Sequence, residues 1–154
     1  MPVLAINKRA SFDYRFLETY EAGLVLLGHE VKAIKDGHVS LKEAYVSLRE
    51  DKGRQSLFLL GAHISRYRYA GALEDYQPTR PRQLLLRQEE LNRLIGKLNS
   101  GGLTLVPVKL YTKHSLIKVE LVLAQGKHKF DKREALKRRD VDRQIKTALK
   151  QRQS

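Results

Sequence analysis

The chain has 154 residues, 42% of them hydrophobic, with 30 Lys+Arg against 17 Asp+Glu, a formal net charge of +13 and a pI near 10.1. This is the size of one domain plus extensions with a modest core. The longest apolar runs fall well short of the ~18 residues of a transmembrane helix, and the lack of any Cys excludes disulfides and thiolate zinc sites. The charge predicts a polyanionic partner, nucleic acid ahead of a membrane surface.

Residues 1–9 lack the basic-then-apolar order of a signal peptide, so a cytoplasmic location is expected. Residues 13–20 and 22–29 read as an extended pair kinked at Glu21-Ala22-Gly23. Residues 31–36 read as a short helical turn stopped by Gly37. Residues 44–50 and 56–64 form a second pair across the Gly-containing loop 50–54. In 88–99, Leu91, Leu94, Ile95 and Leu98 stand on one helical stripe. Glu89 and Glu90 sit at its positive end, and Gly101-Gly102 stop it. In 117–123, Ile117, Val119, Leu121 and Leu123 share one face while Lys118 and Glu120 point the other way, the pattern of a half-buried strand. Its partner is 103–111, with the turn near Lys113-His114-Ser115. Pro107 cannot donate to a ladder, which predicts an edge position or a bulge.

About six short strands and one late helix predict a mainly β fold: a small closed antiparallel β-barrel of OB type with peripheral helices and a basic C-terminal tail. The barrel is assigned to 1–126 and the tail to 127–154. The tail holds 11 Lys+Arg against 4 Asp+Glu. Asp131 and Glu134 are spaced like a capping box, and Val141, Ile145, Ala148 and Leu149 recur at helical spacing. That stripe is thin, and isolated helices of this length are marginal in water. The tail is therefore expected to be disordered when free.

The five histidines are scattered, and no motif with a hydrolytic or phosphate-binding mechanism is present. The expectation is a non-enzymatic protein with no metal, cofactor or small-molecule substrate, monomeric when free.

Residues 20–35, Tyr-Glu-Ala-Gly-Leu-Val-Leu-Leu-Gly-His-Glu-Val-Lys-Ala-Ile-Lys, resemble the signature of the SsrA-binding protein (SmpB) family. Asn7-Lys8-Arg9-Ala10, Arg82-Gln83-Leu84-Leu85-Leu86, Gly126-Lys127 and Asp131-Lys132-Arg133 follow the family pattern in order. The resemblance implies an OB-type barrel that binds transfer-messenger RNA (tmRNA, SsrA RNA) and rescues stalled bacterial ribosomes by trans-translation. It also implies a tail that becomes helical in the empty mRNA channel of the small subunit, at the decoding site. The alternative is a general OB-type RNA-binding or translation-factor module.

The resemblance makes Glu21 an RNA contact, an acceptor for a guanine edge or a 2′-OH; on charge alone it is a solvated carboxylate. Glu30 and Lys32 read as braces of their loop. Lys32 and Lys35 read either as phosphate contacts or as solvated charges. Leu85 is implied as an apolar RNA contact, against a reading in which Leu84, Leu85 and Leu86 are all core. Two residues depart from the family pattern. Arg87 stands where Asn is frequent, losing a helix cap worth about 1 kcal/mol and gaining a phosphate ligand. Phe12 stands where His is usual, and either stacks on a base or packs. Arg66, Arg68, Arg80 and Arg82 interleave with Tyr67, Tyr69 and Tyr76, a texture that suits RNA as well as tyrosines folded over a barrel end. Ribosome contacts are implied for Lys127, Lys129, Asp131, Lys132, Arg133 and Ile145.

Overall fold

A computed structural model describes residues 2–68 and 75–126. The tail expectations, its disorder when free and its ribosome contacts at Lys127, Lys129, Asp131, Lys132, Arg133 and Ile145 included, lie outside the described residues. So does Tyr69.

In chain order the elements are β1 (Val3–Ile6), α1 (Ala10–Asp13), β2 (Tyr14–Leu24), α2 (Gly28–Lys35), β3 (Val39–Ser40), β4 (Tyr45–Asp51), β5 (Arg54–Leu60), β6 (His63–Ile64), β7 (Arg82–Leu85), α3 (Gln88–Asn99), β8 (Thr104–Lys113) and β9 (Leu116–Gly126). Among the described residues seven strands form one antiparallel sheet in the order β1-β8-β9-β2-β7-β5-β4, and β3 pairs with β6 apart from it. The fold is mainly β, as expected. The sheet curls until β4 packs against β8, but among the described residues no ladder joins the two, so the expected hydrogen-bonded closure is absent. A cleft lined by Asn7, Asp13, Lys42, Glu43 and Thr104 lies between these edges. None of the described helices is long and apolar enough to cross a membrane.

The 117–123 alternation becomes β9, with Ile117, Val119, Leu121 and Leu123 buried. Its partner is β8, joined by the two-residue turn His114-Ser115, both at positive φ (51° and 66°), between the paired Lys113 and Leu116. Such a turn matches the twist of the strands it connects. Pro107 sits at a register shift, a bulge, although β8 is flanked on both sides. β1 pairs only with 109–111, so the missing N–H of Pro107 is not called upon. Its carbonyl accepts from Asn7 Nδ2 at 3.1 Å.

Three expectations are corrected. β4 and β5 meet over a two-residue turn, Lys52-Gly53, not a five-residue loop. The expected strand 56–64 is broken at Gly61, whose φ is 72°. A Cβ there would lie 2.3 Å from the Glu43 carbonyl oxygen, so only glycine fits this corner. The expected pair 13–20/22–29 is instead one strand, β2, followed by α2, which starts three residues before the expected turn. The run from Ala22 to Leu27 is apolar enough to look like strand, but the Leu27 N–H is captured by Glu30 Oε1 at 2.9 Å, which starts a helix in place of a Ser, Thr, Asp or Asn cap.

Leu84-Leu85-Leu86 is not simply a lead into the helix: 82–85 is β7, which joins β2 to β5. α3 forms over the expected residues, with Leu94 and Ile95 buried and Leu91 and Leu98 packed on the core. The main core collects Ala22, Leu57, Leu59, Leu84, Leu94, Leu110, Val119 and Leu121. A smaller cluster of Ala10, Val106, Val122 and Ala124 lies under α1.

Candidate nucleic-acid interface

Register across β8, β9, β2 and β7 lines up Tyr111, Lys118, Gly23 and Leu85 in one row. Inside the sheet, the neighbouring positions Leu110, Val119, Ala22 and Leu84 are core. Lys118, Gly23 and Leu85 therefore face outward, as the two-residue period of a strand requires, with Tyr111 covered at the end of the row. Leu85 is 50% exposed, so of the three leucines only Leu84 is fully core and the middle one stands on the surface. A Cβ on Gly23 would sit 3.4 Å from Leu85 Cβ and 3.7 Å from Lys118 Nζ, so the missing side chain keeps a groove open between a cation and an apolar ridge. Glu21, Arg87, Glu90 and Lys118 line that groove with Leu85 and Leu86.

Glu21 is not an unengaged surface charge. Its Oε2 accepts from the Tyr111 hydroxyl, and its Oε1 lies 3.3 Å from Lys113 Nζ. The Tyr111 hydrogen bond, helped by Lys113, holds the Glu21 carboxyl below the usual carboxylate range. Burial, then the neighbouring carboxylate, pushes the Tyr111 hydroxyl well up. Tyr111 thus remains a proton donor and Glu21 an acceptor across ordinary pH.

Of the sequence-derived RNA candidates, the structure brings Glu21, Leu85 and Arg87 to one groove. Arg87 precedes α3 with extended backbone, makes no side-chain cap and is exposed. Phe12, Lys32 and Lys35 do not line that groove. Phe12 is half-buried on α1. Lys32 and Lys35 lie on α2, and Lys32 Nζ stands 5.7 Å from the Tyr67 ring centroid. Lys118, Tyr111 and Lys113 were not singled out from the sequence. Alternation places Lys118 outward, but only the strand register brings it beside Glu21 and Leu85.

Of the two readings left open for the Arg/Tyr texture of 66–82, Tyr76, Arg80 and Arg82 follow the structural one. Glu30 is fully buried. Its carboxylate accepts from Arg82 Nε at 3.0 Å, Arg80 Nε at 3.2 Å and the Tyr76 hydroxyl at 3.0 Å. Buried Arg82 also donates to the carbonyls of Ala62 and Pro78 at 2.8 and 2.9 Å. Burial alone would raise the Glu30 pKa. The Arg80 hydrogen bond, the Leu27 N–H and Arg82 outweigh it and hold the group at about 2. The expected backbone brace at Glu30 is present, but its main partners are the two arginines.

Among the described residues no group of acidic or histidine side chains could hold a metal.

The family model described as SmpB protein matches residues 4–151. The chain belongs to the SmpB family. It is 45% identical to the SsrA-binding protein of Trichodesmium erythraeum over 97% of this chain and 93% of that protein. It is 46% identical to the SsrA-binding protein of Pseudothermotoga lettingae over 97% and 98%. A solved chain described as "tmRNA-SmpB: a journey to the center of the bacterial ribosome" superposes with a TM-score of 0.64 at 42% identity, covering 88% of this chain and 95% of that one. The groove of Glu21, Leu85 and Lys118 thus lies in a chain that matches the SmpB family from β1 into the tail.

Proposed function

We propose that this SmpB-family protein binds the tRNA-like part of tmRNA and delivers it to stalled ribosomes for trans-translation, in the cytoplasm and without catalysis of its own. The observation that carries this is the outward groove of Glu21, Gly23, Leu85, Arg87 and Lys118 in a chain with full-length SsrA-binding relatives. Its chemistry suits a folded RNA: Lys118 and Arg87 neutralise phosphate, Leu85 packs on a base or sugar, and the ionised Glu21 accepts from a 2′-OH or a guanine edge. The curled sheet acts as an OB-type scaffold for that groove. The tail beyond Gly126 serves as the ribosome-facing part through Lys127, Lys129, Asp131, Lys132, Arg133 and Ile145, sensing the empty mRNA channel and decoding site. Phe12, Lys32 and Lys35 supply further RNA contacts outside the groove.

The test pairs a gel shift on the isolated tRNA-like RNA with peptide tagging of stalled ribosomes in a purified translation system. Tight binding to that RNA over bulk tRNA, together with tagging that depends on the protein, supports the proposal. Equal affinity for any structured RNA, with no tagging, would replace it with a general RNA-binding module.

A further inference from the structure

A second cleft begins where the first groove ends. Leu85 and Leu86 line both. On the far side of this ridge the walls come from the β4–β5 hairpin, the outer face of β7 and the first turns of α3. Four amide side chains converge there, Gln55, Gln83, Gln88 and Asn92, with Arg54 at the hairpin end. Among the described residues no carboxylate lines this cleft, unlike its neighbour, which holds Glu21 and Glu90. Its volume of about 700 Å³ falls inside the ~300–1,000 Å³ usual for small-ligand sites.

We infer that this cleft is a second RNA subsite, taking one unstacked nucleotide of the strand held in the Lys118 groove. The inference rests on the RNA-binding reading above and extends it across β7. Side-chain amides carry both donors and acceptors, the complement of a base edge, whereas a phosphate track calls for cations. Gln88 Nε2 donates to Asn92 Oδ1 at 2.9 Å, which fixes the pair and leaves Gln88 Oε1 and Asn92 Nδ2 to face a ligand. Gln83 stands two residues before Leu85 on the same face of β7, half-buried beside the ridge. The exposed Leu85 supplies the apolar surface over which an unstacked base crosses from one groove to the other, and Arg54 stands where the outgoing phosphate would leave. The surface sorts by chemistry accordingly: cation and carboxylate on one side of Leu85, amides on the other.

The experiment uses the full chain and the tRNA-like RNA at fixed salt, reading affinity by gel shift and contact by nucleotide-resolution chemical footprinting. Gln55→Ala with Asn92→Ala changes only surface side chains. This pair should weaken binding about 5- to 10-fold and expose one or two nucleotides that the wild type protects, with the dependence of affinity on salt unchanged. Arg54→Ala is a second, independent variant, and should lower the slope of log affinity against log salt by about one phosphate contact. A footprint and affinity indistinguishable from wild type in both variants would overturn the subsite while leaving the Lys118 groove standing. Failure of the wild-type protein itself to bind the RNA would instead remove the reading on which the subsite rests.

Discussion

Glu21 and Glu30 are nine residues apart, both ionised and both bonded to a tyrosine hydroxyl, yet their environments give them opposite uses. Glu21 is 36% exposed by side chain, with Tyr111 on one oxygen and Lys113 near the other. Removing a negative charge from a basic surface would tighten RNA binding if charge alone mattered. As a specific acceptor, Glu21→Ala should instead weaken binding to the tRNA-like RNA by on the order of 1–3 kcal/mol in a gel shift on the folded variant, alongside a lowered thermal midpoint because the buried Tyr111 hydroxyl loses its acceptor. Equal or tighter binding would leave Glu21 to the scaffold. Glu30 is sealed and shared by two arginines. Glu30→Gln leaves those cations without their counter-charge and should cost about 3–5 kcal/mol in a denaturant titration, as when one partner of a buried pair is deleted. Its pH signature follows from a folded-state value of about 2 against an ordinary 4.5. The depressed value means stability is fully present above about 4.5 and is lost as pH falls toward 2. The wild-type thermal midpoint should drop across that window, and the Glu30→Gln midpoint should be flatter there.

Among the elements, Gly61 and β7 decide how the strands are joined. Gly61→Ala forces a Cβ against the Glu43 carbonyl at a φ of 72°, so it should destabilise, and by more than the ~0.4–1 kcal/mol that Gly→Ala gains where the backbone tolerates it. Gly53→Ala has open space but also a positive φ of 76° and should cost less. Calorimetry on the two variants separates backbone strain from steric collision. The same elements show where sequence reading succeeds. The β8–β9 hairpin was legible because Ile117, Val119, Leu121 and Leu123 alternate cleanly with Lys118 and Glu120. α3 was legible because its leucines repeat at helical spacing. α2 was obscured because Leu27 precedes it and the group that captures the free N–H, Glu30, lies within the helix. β7 was obscured because four residues are too few to show a period. In the candidate site, motif resemblance named Glu21, Leu85 and Arg87, which line one groove. Lys118 stayed hidden until register placed it opposite Gly23. Arg80 and Arg82 stayed undecided because their counter-charge is some 50 residues away in sequence, and an arginine that serves a buried carboxylate looks in sequence like one that serves a phosphate.

At the scale of the whole molecule, the +13 charge is divided between a folded body and the segment after Gly126. Replacing Asp131, Lys132 and Arg133 together by Ala changes the net charge by only −1, so RNA affinity should weaken by at most about one phosphate contact, while peptide tagging on stalled ribosomes should fail. A parallel collapse of binding and tagging would make the tail part of the RNA grip, and normal tagging would take these residues out of the mechanism. The topology also sets an order of birth. β2 finds its principal partner in β9, from Tyr14↔Gly126 to Gly23↔Lys118, and β1 must wait for β8. At ~5–20 residues per second of synthesis, the interval between making β2 and making β9 is roughly 5–20 s. Through that interval the 14–22 stretch of β2 lacks its ladder partner, β7 offering a register only at Gly23 and Leu24. Arrested nascent chains ending before residue 116 should be cut within 14–24 by a brief protease pulse, and released full-length chains should not. A protein of trans-translation would then itself be exposed by a stall, unable to pair most of its second strand until β9 has been built.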